Sequence, residues 1–91
     1  MKVFKYRLHI TDILYIDMPK GAKMLDVQMQ NGYVCLWALC DENNAQQERQ
    51  IAIYGTGHPM PDYPGEYVAT FQMDDGALVF HVFDMGLRQA A

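Results

Sequence analysis

Hydrophobic and polar residues alternate with a period of two over most of the chain, the pattern of strands that set one face on a core. The clearest stretch runs from Met24 to Cys40, where Leu25, Val27 and Met29 alternate with Asp26, Gln28 and Gln30 as far as Asn31-Gly32. Asn-Gly supplies the positive φ angles of a two-residue type I′ turn, so the stretch predicts a hairpin in which Gln30 faces Tyr33. That register gathers Leu25, Val27, Met29, Val34, Leu36 and Ala38 on a core face. It puts Asp26, Gln28, Gln30, Tyr33, Cys35 and Trp37 on the reverse. A second hairpin is predicted from Tyr67 to Asp84 across Asp75-Gly76, with Ala69, Phe71, Met73, Leu78, Phe80 and Val82 inward. Its reverse face, Val68, Thr70, Gln72, Val79, His81 and Phe83, is half apolar and is expected to be covered by another part of the chain, a second subunit or a ligand.

Three further strands are expected. Phe4, Tyr6, Leu8 and Ile10 alternate with Val3, Lys5, Arg7 and His9, and Ile13 to Ile16 form an apolar run that stops at Met18-Pro19-Lys20-Gly21. Arg49 to Tyr54 follows the polar, turn-rich Asp41 to Gln47. Helix is expected as one turn at most, near Asn44 to Glu48, where Ala-Gln-Gln-Glu has mild helix propensity. The sum is six or seven strands in 91 residues. That length suits one domain, residues 1–91, and the fold expected is all-β: a small antiparallel β-sandwich or a jelly-roll-like barrel.

Composition narrows the partners. Hydrophobic residues at 51% and aromatics at 12% exclude disorder, and a formal net charge of −4 with 7 scattered Lys+Arg lacks the basic stripe of a nucleic-acid binder. No apolar run approaches the ~20 residues that cross a bilayer, so no membrane association is expected and the expected compartment is the cytoplasm. A chain this short gains burial by self-association, and a homo-oligomer is expected. Cys35 and Cys40 stand five positions apart on one predicted strand. An odd separation sends them to opposite faces, as two small buried hydrophobes that neither bond each other nor share a metal.

Residues 54 to 65, Tyr-Gly-Thr-Gly-His-Pro-Met-Pro-Asp-Tyr-Pro-Gly, hold three of the four prolines and three of the seven glycines. Proline stiffens such a loop, and Gly55 and Gly57 let backbone N–H groups turn toward an anion or a carbonyl. With Tyr54 and Tyr63 as flat walls, Thr56 between the glycines and His58 as a titratable tip, the segment has the parts of a cradle for a small ligand or peptide. It is equally an ordinary connection between strands. Trp37, alone among polar neighbours, lies either under a second sheet or on a contact surface, and joins Tyr54, Gly55, Thr56, Gly57, His58 and Tyr63 as a candidate ligand-binding residue. Catalytic chemistry has little to stand on. The chain has no serine, both cysteines fall inside strands, and Thr56 beside His58 is the one nominal nucleophile and base. His9, His58 and His81 show no metal-ligand spacing, and Gly-Thr-Gly lacks both the third glycine and the following helix of a dinucleotide fingerprint. No metal and no cofactor are expected.

The strings Pro19-Lys-Gly-Ala-Lys-Met-Leu-Asp-Val-Gln-Met-Gln-Asn-Gly, Cys35-Leu-Trp-Ala-Leu, Ile53-Tyr-Gly-Thr-Gly-His-Pro-Met-Pro and Gly76-Ala-Leu-Val-Phe-His-Val-Phe resemble a family of small proteins of tailed bacteriophages and prophages. The resemblance spans about Val3 to Phe83 and implies a phage accessory protein acting in the host bacterial cytoplasm. Two functions then compete. The first is non-enzymatic binding in an anti-defence role, through capture of a host signalling nucleotide or blockade of a host defence protein. The second is a structural or assembly role in the virion. A nucleotide would call for cations, and Arg7, Arg49 and Arg88 all lie far from the loop in sequence.

Overall fold

Both predicted hairpins form, because each turn dipeptide adopts the left-handed backbone that their tight turns require. Asn31 has φ 50° and Gly32 φ 83°; Asp75 has φ 54° and Gly76 φ 90°, closed by the Ala77 N–H on the Asp74 carbonyl at 3.0 Å. Around them the computed structural model, which describes residues 1–88, arranges seven strands. These are β1 (Lys2–Arg7), β2 (Ile13–Pro19), β3 (Lys23–Gln30), β4 (Tyr33–Cys40), β5 (Gln46–Gly55), β6 (Glu66–Met73) and β7 (Leu78–Leu87). Every pairing is antiparallel, in a smaller sheet ordered β1-β4-β3 and a larger one ordered β2-β5-β7-β6. The expected all-β sandwich is thus the fold observed.

The two sheets enclose one cluster of buried side chains. Leu36, Ala38 and Cys40 of β4 and Val27 of β3 meet Ile51 and Ile53 of β5, Val82 of β7 and Ala69 and Phe71 of β6, with Met18 closing one end. At one side β3 runs close beside β6, so β1 and β2 are the edges on the opposite side.

Register agrees with the sequence near each turn and departs from it farther away. Gln30 pairs with Tyr33 and Val27 with Leu36 as expected, but a bulge between Met24 and Asp26 pushes Leu25 outward. Leu25 is 43% exposed, and Met24 takes its place against the core, opposite Ala38. A bulge between Tyr67 and Ala69 does the reverse in β6 and turns Val68 from the outer face onto the core. A bulge leaves one residue unpaired, so the faces exchange from that point on. No helical turn forms at Asn44 to Glu48. Asp41 instead caps a turn, accepting the Asn43 N–H on its carboxylate and the Asn44 N–H on its carbonyl at 3.0 Å each, and Gln46, Gln47 and Glu48 pair with Pro19, Met18 and Asp17. Ile10, the last of the alternating apolar residues read as the first strand, lies 43% exposed beyond its end. Cys35 and Cys40 occupy opposite faces of β4, both buried and free.

One buried ion pair ties the larger sheet. Asp84 accepts two hydrogen bonds from Arg49, from Nε at 3.1 Å and Nη2 at 2.8 Å, and one from the Gly86 N–H at 2.9 Å. It sits where the β5–β7 register shifts between Arg49 and Ile51, so the pair fills the irregularity with bonds the ladder cannot supply. Gly65 packs so tightly against it, at φ 101°, that a Cβ there would lie 2.3 Å from the Asp84 carbonyl oxygen.

Candidate binding face

Alternation along β2, β5, β7 and β6 sends one set of side chains away from the core. Cross-strand pairing aligns Ile13, Ala52, Phe83 and Tyr67 in one row and Tyr54, His81 and Thr70 in the next, with Val79 opposite Gln72 beyond them. β5 and β6 run parallel with β7 between them, so residues 56–65 must pass β7 to join them. Phe83 stands at its middle, with the Tyr54 ring 6.0 Å away on one side and the Tyr67 ring 5.8 Å away on the other, both edge-to-face. Such geometry sets the positive ring edge on the negative ring face and holds the three rings in fixed orientation. Ala52 is fully buried in that row although it points outward, and Tyr67 is 61% exposed.

Beside the rings runs a chain of polar groups. Tyr67 Oη lies 2.8 Å from Thr70 Oγ1, Thr70 Oγ1 lies 3.0 Å from His81 Nδ1, and His81 Nε2 lies 2.8 Å from Thr56 Oγ1. Both imidazole nitrogens are thereby engaged by threonine hydroxyls, which fix the ring without a carboxylate to polarise it. The ring is thereby held in one orientation by neutral groups on both sides.

The Gly/Pro loop joins the edge of this face through its first half. Thr56 N–H donates to the Val79 carbonyl at 3.1 Å, the His58 N–H donates to that of Gly55 at 3.1 Å, and the His58 ring folds onto Gly55, where a Cβ would meet it at 2.9 Å. His58 then stands as a wall between two recesses, one lined by Asp12, Ile13, Tyr54 and Pro59, the other by Thr56, Leu78, Val79 and Phe80. Tyr54, Gly55, Thr56, Gly57 and His58 therefore come together. Tyr63, expected as the second wall, does not join them: it is 92% exposed, beyond Pro59 and Pro61. Trp37 is also separate, half-buried on the outer face of the smaller sheet between Lys5 and Asp26, and not beneath the larger sheet. Thr56 bonds His81, and its expected partner His58 packs on glycine instead.

Sequence reasoning missed His81, Thr70 and Tyr67 as site residues, although it placed His81 and Thr70 on the same outward face. The signal lay in the second hairpin, whose reverse face carried a histidine and a threonine among apolar residues.

The arginines are engaged elsewhere. Arg49 is held by Asp84, the Arg88 guanidinium bonds Glu48 at 2.9 Å and covers the Tyr15 ring at 4.2 Å, and Arg7 lies 3.4 Å over the Tyr33 ring. Arg88, bonded to that carboxylate, has its pKa pushed up. No helix among the described residues is long and apolar enough to cross a membrane. Among them no three His, Cys, Asp or Glu side chains converge as metal ligands either.

A two-sheet antiparallel protein with an aromatic row on the outer face of its larger sheet is the class these features define. The chain belongs to the family described as a domain of unknown function, DUF7352, whose model matches residues 1–90. No curated protein and no solved structure matches it.

Proposed function

We propose that the chain is a non-enzymatic binding protein that holds a protein partner against the outer face of its larger sheet. One observation carries the reading: Tyr54, Phe83 and Tyr67 form an aromatic row beside the Tyr67–Thr70–His81–Thr56 hydrogen-bond chain, with Tyr67 61% exposed. Aromatic anchors beside neutral hydrogen-bonding groups, with charge depleted at the centre, are the composition of an interface core. A nucleotide is the less favoured ligand, because each arginine that would meet a phosphate is engaged away from the His58 recesses. The bacteriophage setting, with a host defence protein as the partner blocked in the host cytoplasm, rests on the resemblance in sequence.

The test is affinity capture from phage-infected cells with wild-type chain, with Tyr67→Lys and Val79→Lys on the proposed face, and with Lys5→Glu on the outer face of the smaller sheet. A protein retained by wild type and Lys5→Glu but lost from both face variants supports the reading. Equal retention by all four, or loss only from Lys5→Glu, refutes it. Thermal-shift screening with nucleotides checks the other ligand class, where a nucleotide at 100 times its Kd would add about 2.7 kcal/mol.

A further inference from the structure

The open side of the sandwich carries a second, independent feature. Ile53 donates its N–H to the Asp12 carbonyl at 3.0 Å, which places Asp12 and Ile53 in a hydrogen-bonded pair, and the β2–β5 register continues unbroken from there. Such pairs alternate along an antiparallel ladder. Leu14, Ile16 and Met18 therefore bond to β5, while Ile13, Tyr15 and Asp17 turn their N–H and C=O groups to the side where β2 has no neighbour. Among the described residues β2 pairs with β5 alone.

Edges of this kind are usually blunted by charge, by proline or by cover. The edges β3 and β6 shelter each other, and β1 carries Lys2, Lys5 and Arg7 in six residues. The β2 strand, Ile-Leu-Tyr-Ile-Asp-Met-Pro, has one charge and holds its proline back to the last position. The core is also incompletely closed on this side: Phe4 and Tyr6 of β1 and Leu14 and Ile16 of β2 pack against it but remain only partly buried.

We propose that β2 pairs antiparallel with β2 of a second copy of this chain, about a two-fold axis through Tyr15, joining two larger sheets into one. Self-complementarity selects this occupant. On that axis Tyr15 faces its twin and Ile13 faces the partner's Asp17, so all three outward residues exchange hydrogen bonds. Leu14 falls opposite the partner's Ile16 on the core side, where each covers the other's exposed flank. The two Asp17 carboxylates stand four pairing positions apart, about 13 Å, beyond the screening length at physiological salt. Arg88 covers the Tyr15 ring from the outer face and leaves the strand edge clear. A seven-residue edge buries less than the ~800 Å² per partner of a standard interface, so the dimer is reversible and concentration-dependent.

Sedimentation equilibrium over a concentration series, with site-directed oxidation, tests this. Wild type is expected to dimerise as concentration rises. Tyr15→Pro removes an outward N–H where an edge strand tolerates proline, and should weaken association roughly tenfold to thirtyfold with the circular dichroism spectrum preserved. Tyr15→Cys should oxidise to a covalent dimer, since the twin Cα atoms lie about 5.5 Å apart in a hydrogen-bonded pair, whereas Ile13→Cys should not, its twins lying about 13 Å apart. A chain that stays monomeric to its solubility limit overturns the proposal. So does Tyr15→Pro associating as wild type does, or Ile13→Cys cross-linking as readily as Tyr15→Cys.

Discussion

Replacing Arg49 by Met isolates a carboxylate where water reaches it poorly. The Asp84 side chain is 9% exposed and that of Arg49 16%, and the substitution keeps most of the aliphatic stem while removing the two donors that face Asp84. The Gly86 N–H alone would then support the charge. Breaking a buried pair from one side costs about 3–5 kcal/mol, against a total stability of roughly 5–14 kcal/mol for a chain of this length. The corresponding fall in Tm is roughly 12–40 °C. Asp84→Leu should cost less than Arg49→Met, because the freed guanidinium borders two open recesses and can turn into either, while the short carboxylate cannot follow water outward. The double variant Arg49→Met/Asp84→Leu, with no charge left to bury, should recover most of the loss. Urea denaturation of the four proteins gives the cycle directly. A loss below about 1 kcal/mol for Arg49→Met, or a double variant as unstable as that single one, refutes the view that the cost is an orphaned charge.

Four further outcomes follow from single contacts. Met24→Ala should cost about 1–2 kcal/mol and Leu25→Ala under about 0.5, the reverse of unbroken alternation, as read by denaturant midpoints. Gly65→Ala should destabilise by more than about 3 kcal/mol, since its Cβ would strike the Asp84 backbone, whereas Gly57→Ala, at φ 85° with open space, should cost about 1 kcal/mol. Burial and the Cys40 thiol at 3.9 Å push the Tyr6 hydroxyl from its ordinary 10.0 up to about 12, so the folded state holds that proton more tightly than the unfolded chain. Its contribution to stability is complete below pH 10 and is lost as pH rises toward 12, and unfolding titrations of Tyr6→Phe should lack this part of the alkaline loss. Gly55→Ala should displace the His58 ring and leave the His81 resonances unchanged in NMR spectra, because Thr56 and Thr70 hold that imidazole independently.

What could be read from the residues alone is what local chemistry decides. Asn31-Gly32 and Asp75-Gly76 constrain their own φ angles, and from each turn the register propagates by strict alternation until something interrupts it. The interruptions were invisible because their causes are tertiary. Leu25 and Val68 look like ordinary members of their apolar series, yet each strand slips one residue there, on the side where β3 runs beside β6. Arg49 and Asp84 are 35 positions apart and meet only when β5 and β7 pair. The same limit separated the candidate residues. Tyr54 to His58 are contiguous, so the chain itself brings them together, but Tyr63 is carried away by the prolines between and Trp37 belongs to the other sheet.

The position of the candidate face follows from the same pairing. His81 meets Thr56 and Thr70 because β7 lies between β5 and β6, and no spacing rule along one strand would bring those hydroxyls to both nitrogens of one ring. A lone outward histidine in a hairpin reads as a solvated side chain; between two strands that each offer a threonine it becomes an oriented polar group next to three ordered rings. The centre strand of a sheet is where such a group is held most firmly, since both its neighbours are paired backbone. The larger sheet thus confines its specific polar geometry to the interior of its outer face and leaves its bare hydrogen-bonding groups at the β2 edge. The proposed partner face and the proposed self-pairing edge are accordingly separable: Tyr67 and Val79 lie strands away from Tyr15, and substitutions at one place should leave the other's association unchanged.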